Sequence, residues 1–161
     1  MIKLLAFLPL LFLLSCKSTK PELLQSKLTT AQGHTVTIYL ALTLTEQEQG
    51  LSGVQEQDFK DNEGMLFYYK TAGEKHFWMP DTYFNLDLFF LDHNFKVLDI
   101  IRNLPHYKGR NNPELIPRAR GVWAQHVLEM KASSQISQGI KIGDQLKVEF
   151  SSKAEEAIKK L

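Results

Sequence analysis

The sequence predicts an all-β domain with minor helix, built as a sandwich or barrel. Three observations carry that expectation. From Val36 to Leu44 an apolar side chain falls on every second residue, the period of a half-buried strand. Short apolar runs then recur along the chain, about seven or eight strands' worth, each closed by turn-forming Gly, Pro, Asn or Asp. Helical spacing is confined to brief stretches, and no internal repeat or low-complexity block interrupts the pattern.

The chain opens with Lys3 ahead of an apolar run from Leu4 to Leu14, which closes on Ser15-Cys16. A bilayer crossing needs roughly 20 apolar residues, so this run reads as a secretory leader and not a spanning helix. Apolar residues, a small residue and then a cysteine look like a bacterial lipobox. Residues 1–15 are therefore expected to be a lipoprotein signal peptide, with Cys16 lipidated and anchored in the membrane. Cys16 is the one cysteine in the chain, so no intramolecular disulfide is expected and the core must hold the fold. Lys17 follows it where an Asp would favour inner-membrane retention. By resemblance to sorted bacterial lipoproteins, that points to the outer membrane, facing the periplasm. Residues 16–33 are polar and aperiodic and read as a lipidated tether. The β domain is expected over 34–150, and 151–161 as a tail.

Within the domain, His34 to Leu44 is the first strand, with Val36, Ile38, Leu40, Leu42 and Leu44 on its apolar face. Thr45 to Glu48 fits a capping box, Thr45 as N-cap and Glu48 reaching back. Gly50 and Gly53 limit that helix to about two turns. Val54 to Glu63 is loop-like. Gly64–Tyr69 and Lys75–Met79 read as a hairpin that Pro80 ends, because proline cannot donate to a ladder. Asn85–Leu91 and Phe95–Ile101 pair across the Asp92-His93-Asn94 turn. Asn103 to Gly121 is a long loop rich in Pro, Asn and basic residues, a length that marks functional or disordered segments. Val122–Lys131 is strand-like. Ala132–Gln138 is a short helical turn with Ser133 as cap and Gly139 as stop. Gln145–Phe150 is the last strand. Ser151–Leu161 has helical spacing but is expected to fray, since an isolated helix this short is marginal.

Charge is nearly balanced, with 19 Lys and Arg against 18 Asp and Glu, and removing Lys3 with the leader leaves the remainder neutral. No basic stripe marks a nucleic-acid partner. A Gly-x-Ser-x-Gly elbow, a phosphate-cradling glycine loop, His-Glu-x-x-His and Cys-x-x-Cys are all missing.

The most aromatic stretch after the leader, Phe77–Asp92, carries acids inside apolar sequence. Such acids cost several kcal/mol when buried unless they are hydrogen-bonded or paired. Asp81 follows Pro80 in a turn context, and Asp87 interrupts a strand with Arg118 and Arg120 as candidate partners. Together the two carboxylates would suit a hydrolase-type site. Apart, they are turn and ion-pair residues. His76, His93, His106 and His126, with Asp81, Asp87 and Asp92, supply metal-ligand types but no diagnostic spacing, and no metal or cofactor is expected. Trp78, Met79, Tyr83 and the His106-Tyr107 loop suit an aromatic groove rimmed by Arg118 and Arg120. Phe77, Phe84, Phe89 and Phe90 read as core.

Six blocks in order, Thr45–Leu51, Gly64–Phe67, Phe77–Thr82, Leu86–Asp92, Val127–Glu129 and Gly139–Asp144, closely resemble the domain-of-unknown-function 192 family over about residues 34–150. The resemblance implies a compact β-sandwich resembling a jelly roll with one or two short helices, often exported, with no established reaction, cofactor or ligand. It also nominates Trp78, Met79, Asp81, Thr82 and Asp87 as site residues. The chain departs from the family pattern at Ser52 and Val54, where a methionine and an arginine are usual. It departs again at Asp81, an asparagine in the family, and at Asn85, a proline. If that arginine and asparagine share a site in relatives, either the site is altered here or Arg118 or Arg120 replaces the lost charge. The leading expectation is a non-catalytic envelope lipoprotein domain that binds a small ligand or an envelope protein. A hydrolase using Asp81 and Asp87, or a purely structural module, are the alternatives.

Overall fold

The structure, a computed structural model, describes residues 23–161. The leader and Cys16 lie outside the described residues. The domain is a seven-stranded sheet curled over two apolar clusters, with a two-stranded ribbon laid against one face. Its strands are β1 (Gln25–Thr29), β2 (Thr35–Ala41), β3 (Glu63–Phe67), β5 (Leu86–Leu91), β6 (Val97–Leu104), β8 (His126–Lys131) and β9 (Lys147–Glu149). They are ordered β6-β5-β8-β3-β2-β1-β9. The ribbon pairs β4 (Gly73–Lys75) with β7 (Val122–Ala124). Three short helices complete it: α1 (Leu44–Gln49), α2 (Gln135–Gly139) and α3 (Ser152–Lys159). This is the expected mostly β, sandwich-like architecture.

Strands β3, β5 and β8 are buried along their whole length and form the centre of the sheet. Alternate residues feed opposite faces. Phe67, Leu86, Leu88, Phe90 and Val127 pack with Phe59, Phe77, Met79 and Phe84 in one cluster. Leu66, Phe89, Leu91, Leu128 and Met130 pack with Val36, Ile38, Leu40 and Ile140 in the other. The far ends of the sheet approach each other. While β9 pairs with β1, the residues just ahead of it bond to the start of β6, through Val97 N to Asp144 O (2.9 Å) and Gly143 N to Val97 O (2.8 Å).

Several expectations are corrected. The Gly64–Met79 hairpin does not form. β3 pairs in parallel with β2 and antiparallel with β8, because a strand buried on both faces needs a neighbour on each side. A parallel pair requires a crossover, and α1 with the loop after it supplies one. Of Lys75–Met79, only Lys75 joins a ladder, and Trp78 makes a single bridge to Arg118.

The capping box sits two residues earlier than expected. Thr43 Oγ1 accepts from Glu46 N (3.2 Å), while Glu46 Oε2 accepts from Thr43 N and Leu42 N (both 2.8 Å). Leu44 is thus the first helical residue and exposed, not the last residue of the strand. Ser134, not Ser133, caps α2, and its hydroxyl also donates to Asp61 O (2.6 Å). The expected tail is helix α3, capped by Ser151, with Ala154 fully buried. Ordered structure also begins upstream of residue 34, since β1 pairs on both sides.

Candidate functional site

The Phe77–Phe84 corner organises one end of the domain. Residues 77–79 run beside 117–119, through Met79 N to Pro117 O (3.0 Å) and Ala119 N to Phe77 O (2.8 Å). Pro80 closes that run, and Asp81 adopts φ +51°, the left-handed region that Asp and Asn tolerate best among residues with a Cβ. Asp81 N donates to Gly109 O (2.7 Å), and Asp81 Oδ1 accepts from Tyr83 Oη (3.1 Å) and Gly109 N (3.3 Å). Thr82 Oγ1 accepts from Tyr107 N and donates to Met79 O, each at 3.0 Å. The corner therefore holds the long Pro-rich loop in place. Two of the positions that depart from the family pattern meet here. Ser52 Oγ donates to Pro80 O (2.7 Å), and beside it Gly53 N donates to Asp81 O (2.8 Å).

Asp87 pairs with neither Arg118 nor Arg120. It is buried on the opposite face of β5, where its carboxylate accepts from Arg102 Nη1 (2.5 Å), Ser137 Oγ (2.7 Å) and Asn103 N (2.8 Å). Arg102 also donates to Ser137 O (2.9 Å), so the pair staples α2 to the sheet. Arg120 instead bonds Asp99 near the surface, and the Arg118 guanidinium lies 5.1 Å from the centre of the Trp78 ring. Asp87 borders a depression with Arg102 that Asp81 does not line, and the two carboxylates of the hydrolase alternative are held by different partners.

The histidines are scattered. His126 is stacked between Tyr68 (4.5 Å) and Phe95 (4.9 Å), and its Nδ1 accepts from Tyr69 N (3.3 Å). Burial, then the nearby Lys75 charge, push its pKa down to about 4, so it is a neutral core group. His76 is exposed beside Glu74 (3.4 Å), His93 sits in a turn, and His106 Nδ1 lies 2.7 Å from Asn85 Oδ1. Among the described residues, no three His, Cys, Asp or Glu side chains converge on a point where a metal would sit.

A cleft of about 300 Å³ opens between α1 with the loop after it and segment 76–82. Phe67, Tyr69, Phe77, Trp78 and Met79 form much of its wall, and Glu129 of β8 belongs to it. Trp78, Met79 and Thr82 of the expected site residues meet here. Asp81, Asp87, Arg118 and Arg120 do not.

Glu129 stands opposite Met65 and Leu88 in the central ladders and is only 4% exposed. Among the described residues its carboxyl has no hydrogen-bond or ion-pair partner. Among the described residues no fully sealed side-chain polar atom lacks a partner, so that carboxyl is not sealed and borders the cleft. Burial pushes its pKa up to about 8, so it holds a proton at neutral pH. Burial and Glu129 together raise Tyr69 to about 12.

A roomier depression of about 580 Å³ lies around Asp87 and Arg102, but those charges already satisfy each other. Sequence reasoning missed Glu129. Its signal was an acid inside the apolar run Val127-Leu128-Glu129-Met130, the same kind of signal that singled out Asp87.

Fold and cleft together define a small curled β-sandwich with a ligand-sized, acid-bearing cleft on one face. The chain belongs to the DUF192 family, described as uncharacterized ACR, whose model matches residues 27–148. It is similar to a crystal structure from Sinorhizobium meliloti 1021, provisionally described as a transcription regulator. Identity there is 31% and the TM-score 0.61, covering 77% of this chain and 92% of that one. It is also similar to a protein of unknown function from Novosphingobium aromaticivorans DSM 12444. That match has 28% identity and a TM-score of 0.62, and covers 80% of this chain and 90% of that one. No curated protein matches.

Proposed function

We propose that this is an envelope protein, lipid-anchored through Cys16, whose β domain binds a small ligand in the cleft between Trp78 and Glu129 without transforming it. Glu129 carries the reading. A carboxyl group in the central strand of a sheet is costly to desolvate, and an apolar or amide side chain would fit that strand at lower cost. Buried polar groups find partners as a rule, so one aimed unpartnered into a cleft points to a partner from outside. Binding without chemistry is favoured because the two aliphatic hydroxyls of the cleft are committed to the backbone. Thr82 holds Tyr107 N and Met79 O, and Ser52 holds Pro80 O. The balance of 19 basic and 18 acidic residues favours a small ligand or an envelope protein over nucleic acid.

Two measurements test this. Mass spectrometry of the membrane fraction should find Cys16 as a diacylglyceryl N-terminus, and Cys16→Ala should leave an unprocessed chain; an unmodified Cys16 in the wild type refutes the anchor. Native mass spectrometry of gently purified full chain should carry a stoichiometric added mass. Both Glu129→Gln and Trp78→Ala should lose it while keeping a native circular dichroism spectrum. Retention of that mass by both variants places the ligand elsewhere.

A further inference from the structure

We propose that the ligand is an organic cation, an ammonium or guanidinium group on an apolar body, with its charge against Glu129 and its body along Phe67, Phe77 and Trp78. This rests on reading the cleft as the binding site. Among the described residues, the wall of the cleft contains two carboxyl side chains, Glu129 at depth and Glu48 on exposed α1, and no lysine or arginine. Lys75 and Arg118 are not part of it; they lie over the rings of Tyr69 (3.6 Å) and Trp78 (5.1 Å).

An anion entering the cleft would meet two acids in its wall, with the nearest cations, Lys75 and Arg118, already engaged over the rings of Tyr69 and Trp78. A neutral ligand would gain one hydrogen bond from Glu129 and nothing from Glu48. A cation gains from both acids, and the aromatic wall receives its apolar body, while Tyr69 and Trp78 each already hold a cation of the chain over the ring. The titratable groups around Glu129 are Glu48 of α1, Tyr69 just beyond β3 and His76 of the rim, with the Lys75 ammonium of β4 over the Tyr69 ring. Tyr69 stays neutral below about 12. His76 already faces Glu74 at 3.4 Å.

Seating the cation requires Glu129 to give up its proton. With a pKa near 8, that step weakens binding by only about tenfold at pH 7. The released proton goes to solvent, so binding is accompanied by proton release.

Three probes share one apolar body and differ in charge: n-butylammonium, n-butanol and butyrate. They are titrated into the full chain at pH 7. The Trp78 indole resonance reports occupancy, and calorimetry in two buffers of different ionisation enthalpy counts protons. Butylammonium is expected to bind about tenfold or more tightly than butanol and to release close to one proton. Glu129→Gln should abolish both the preference and the release. Glu48→Gln, at an exposed position that cannot threaten the fold, should reduce the preference alone. Equal or tighter binding of butanol or butyrate, or a preference that survives in both variants, overturns the cation assignment and leaves the cleft as a site for another class. If no probe perturbs Trp78, the cleft reading falls with it.

Discussion

Two acids buried in one sheet show what decides a residue's role. Asp87 has three donors and holds two elements together. Glu129 has none among the described residues and borders the cleft. Removing Asp87 should leave Arg102 and Ser137 unmatched. Asp87→Ala is therefore expected to destabilise the fold by about 2–4 kcal/mol, towards the lower end because Arg102 is partly open to water and can rehydrate. Urea denaturation measures it. Glu129→Gln should act in the other direction at alkaline pH. The folded pKa of Glu129 is raised, so the stability it permits is complete below about 4.5 and lost as pH rises through about 8. The slope across that window is about 1.4 kcal/mol per pH unit. The variant should match the wild type near pH 4.5 and exceed it at pH 8. A third residue tests the corner. Asp81→Asn keeps both the left-handed preference and an acceptor for Gly109, whereas Asp81→Ala should cost about 1–2 kcal/mol and speed amide exchange at Gly109.

At the scale of elements, whatever depended on local period was legible and whatever depended on partners was not. The alternation from Val36 to Leu42 announced β2, and the turn at Asp92–Asn94 announced the β5–β6 pair. The neighbours of β3 were unreadable because its pattern, buried on both faces, suits any central position. Arg102 was unreadable as the partner of Asp87 because a register shift between Leu86 and Leu88 brings the two together. Glu129 was visible as an acid in an apolar strand, yet nothing in its spacing tells a satisfied core acid from one facing a cleft. The C-terminal helix was misjudged because its stability comes from packing and not from propensity. Ala154, Ala157 and Ile158 of α3 close the second apolar cluster. Ending the chain after Phe150 should uncover that surface and lower stability by about 2–3 kcal/mol, read as a lower urea midpoint. An unchanged midpoint would mean the helix is only appended.

For the whole molecule, two groups on β8 give stability opposing pH dependences. His126 and Glu129 lie on the same strand, the first stacked between Tyr68 and Phe95, the second facing the cleft. Their ionisations act in opposite senses. His126 has a folded pKa lowered to about 4, so its contribution is complete above about 6.5 and lost as pH falls towards 4. The contribution of Glu129 is lost as pH rises from about 4.5 to about 8. Between about 4.5 and 6.5 the two slopes oppose and largely cancel. Above that window the contribution of Glu129 continues to decline, and stability should fall towards pH 8. Asp144, held below the usual carboxylate range first by the Gln32 side chain and then by Lys141 N, titrates beneath the window and leaves it undisturbed. Urea midpoints of the full chain should therefore trace a plateau near pH 4.5–6.5 with a decline on the alkaline side. Glu129→Gln should convert that profile into a rise up to about pH 6.5 followed by a level. A wild-type profile already level from pH 6.5 to 8 would mean that Glu129 is ionised in the empty cleft, and binding of a cation would then release no proton.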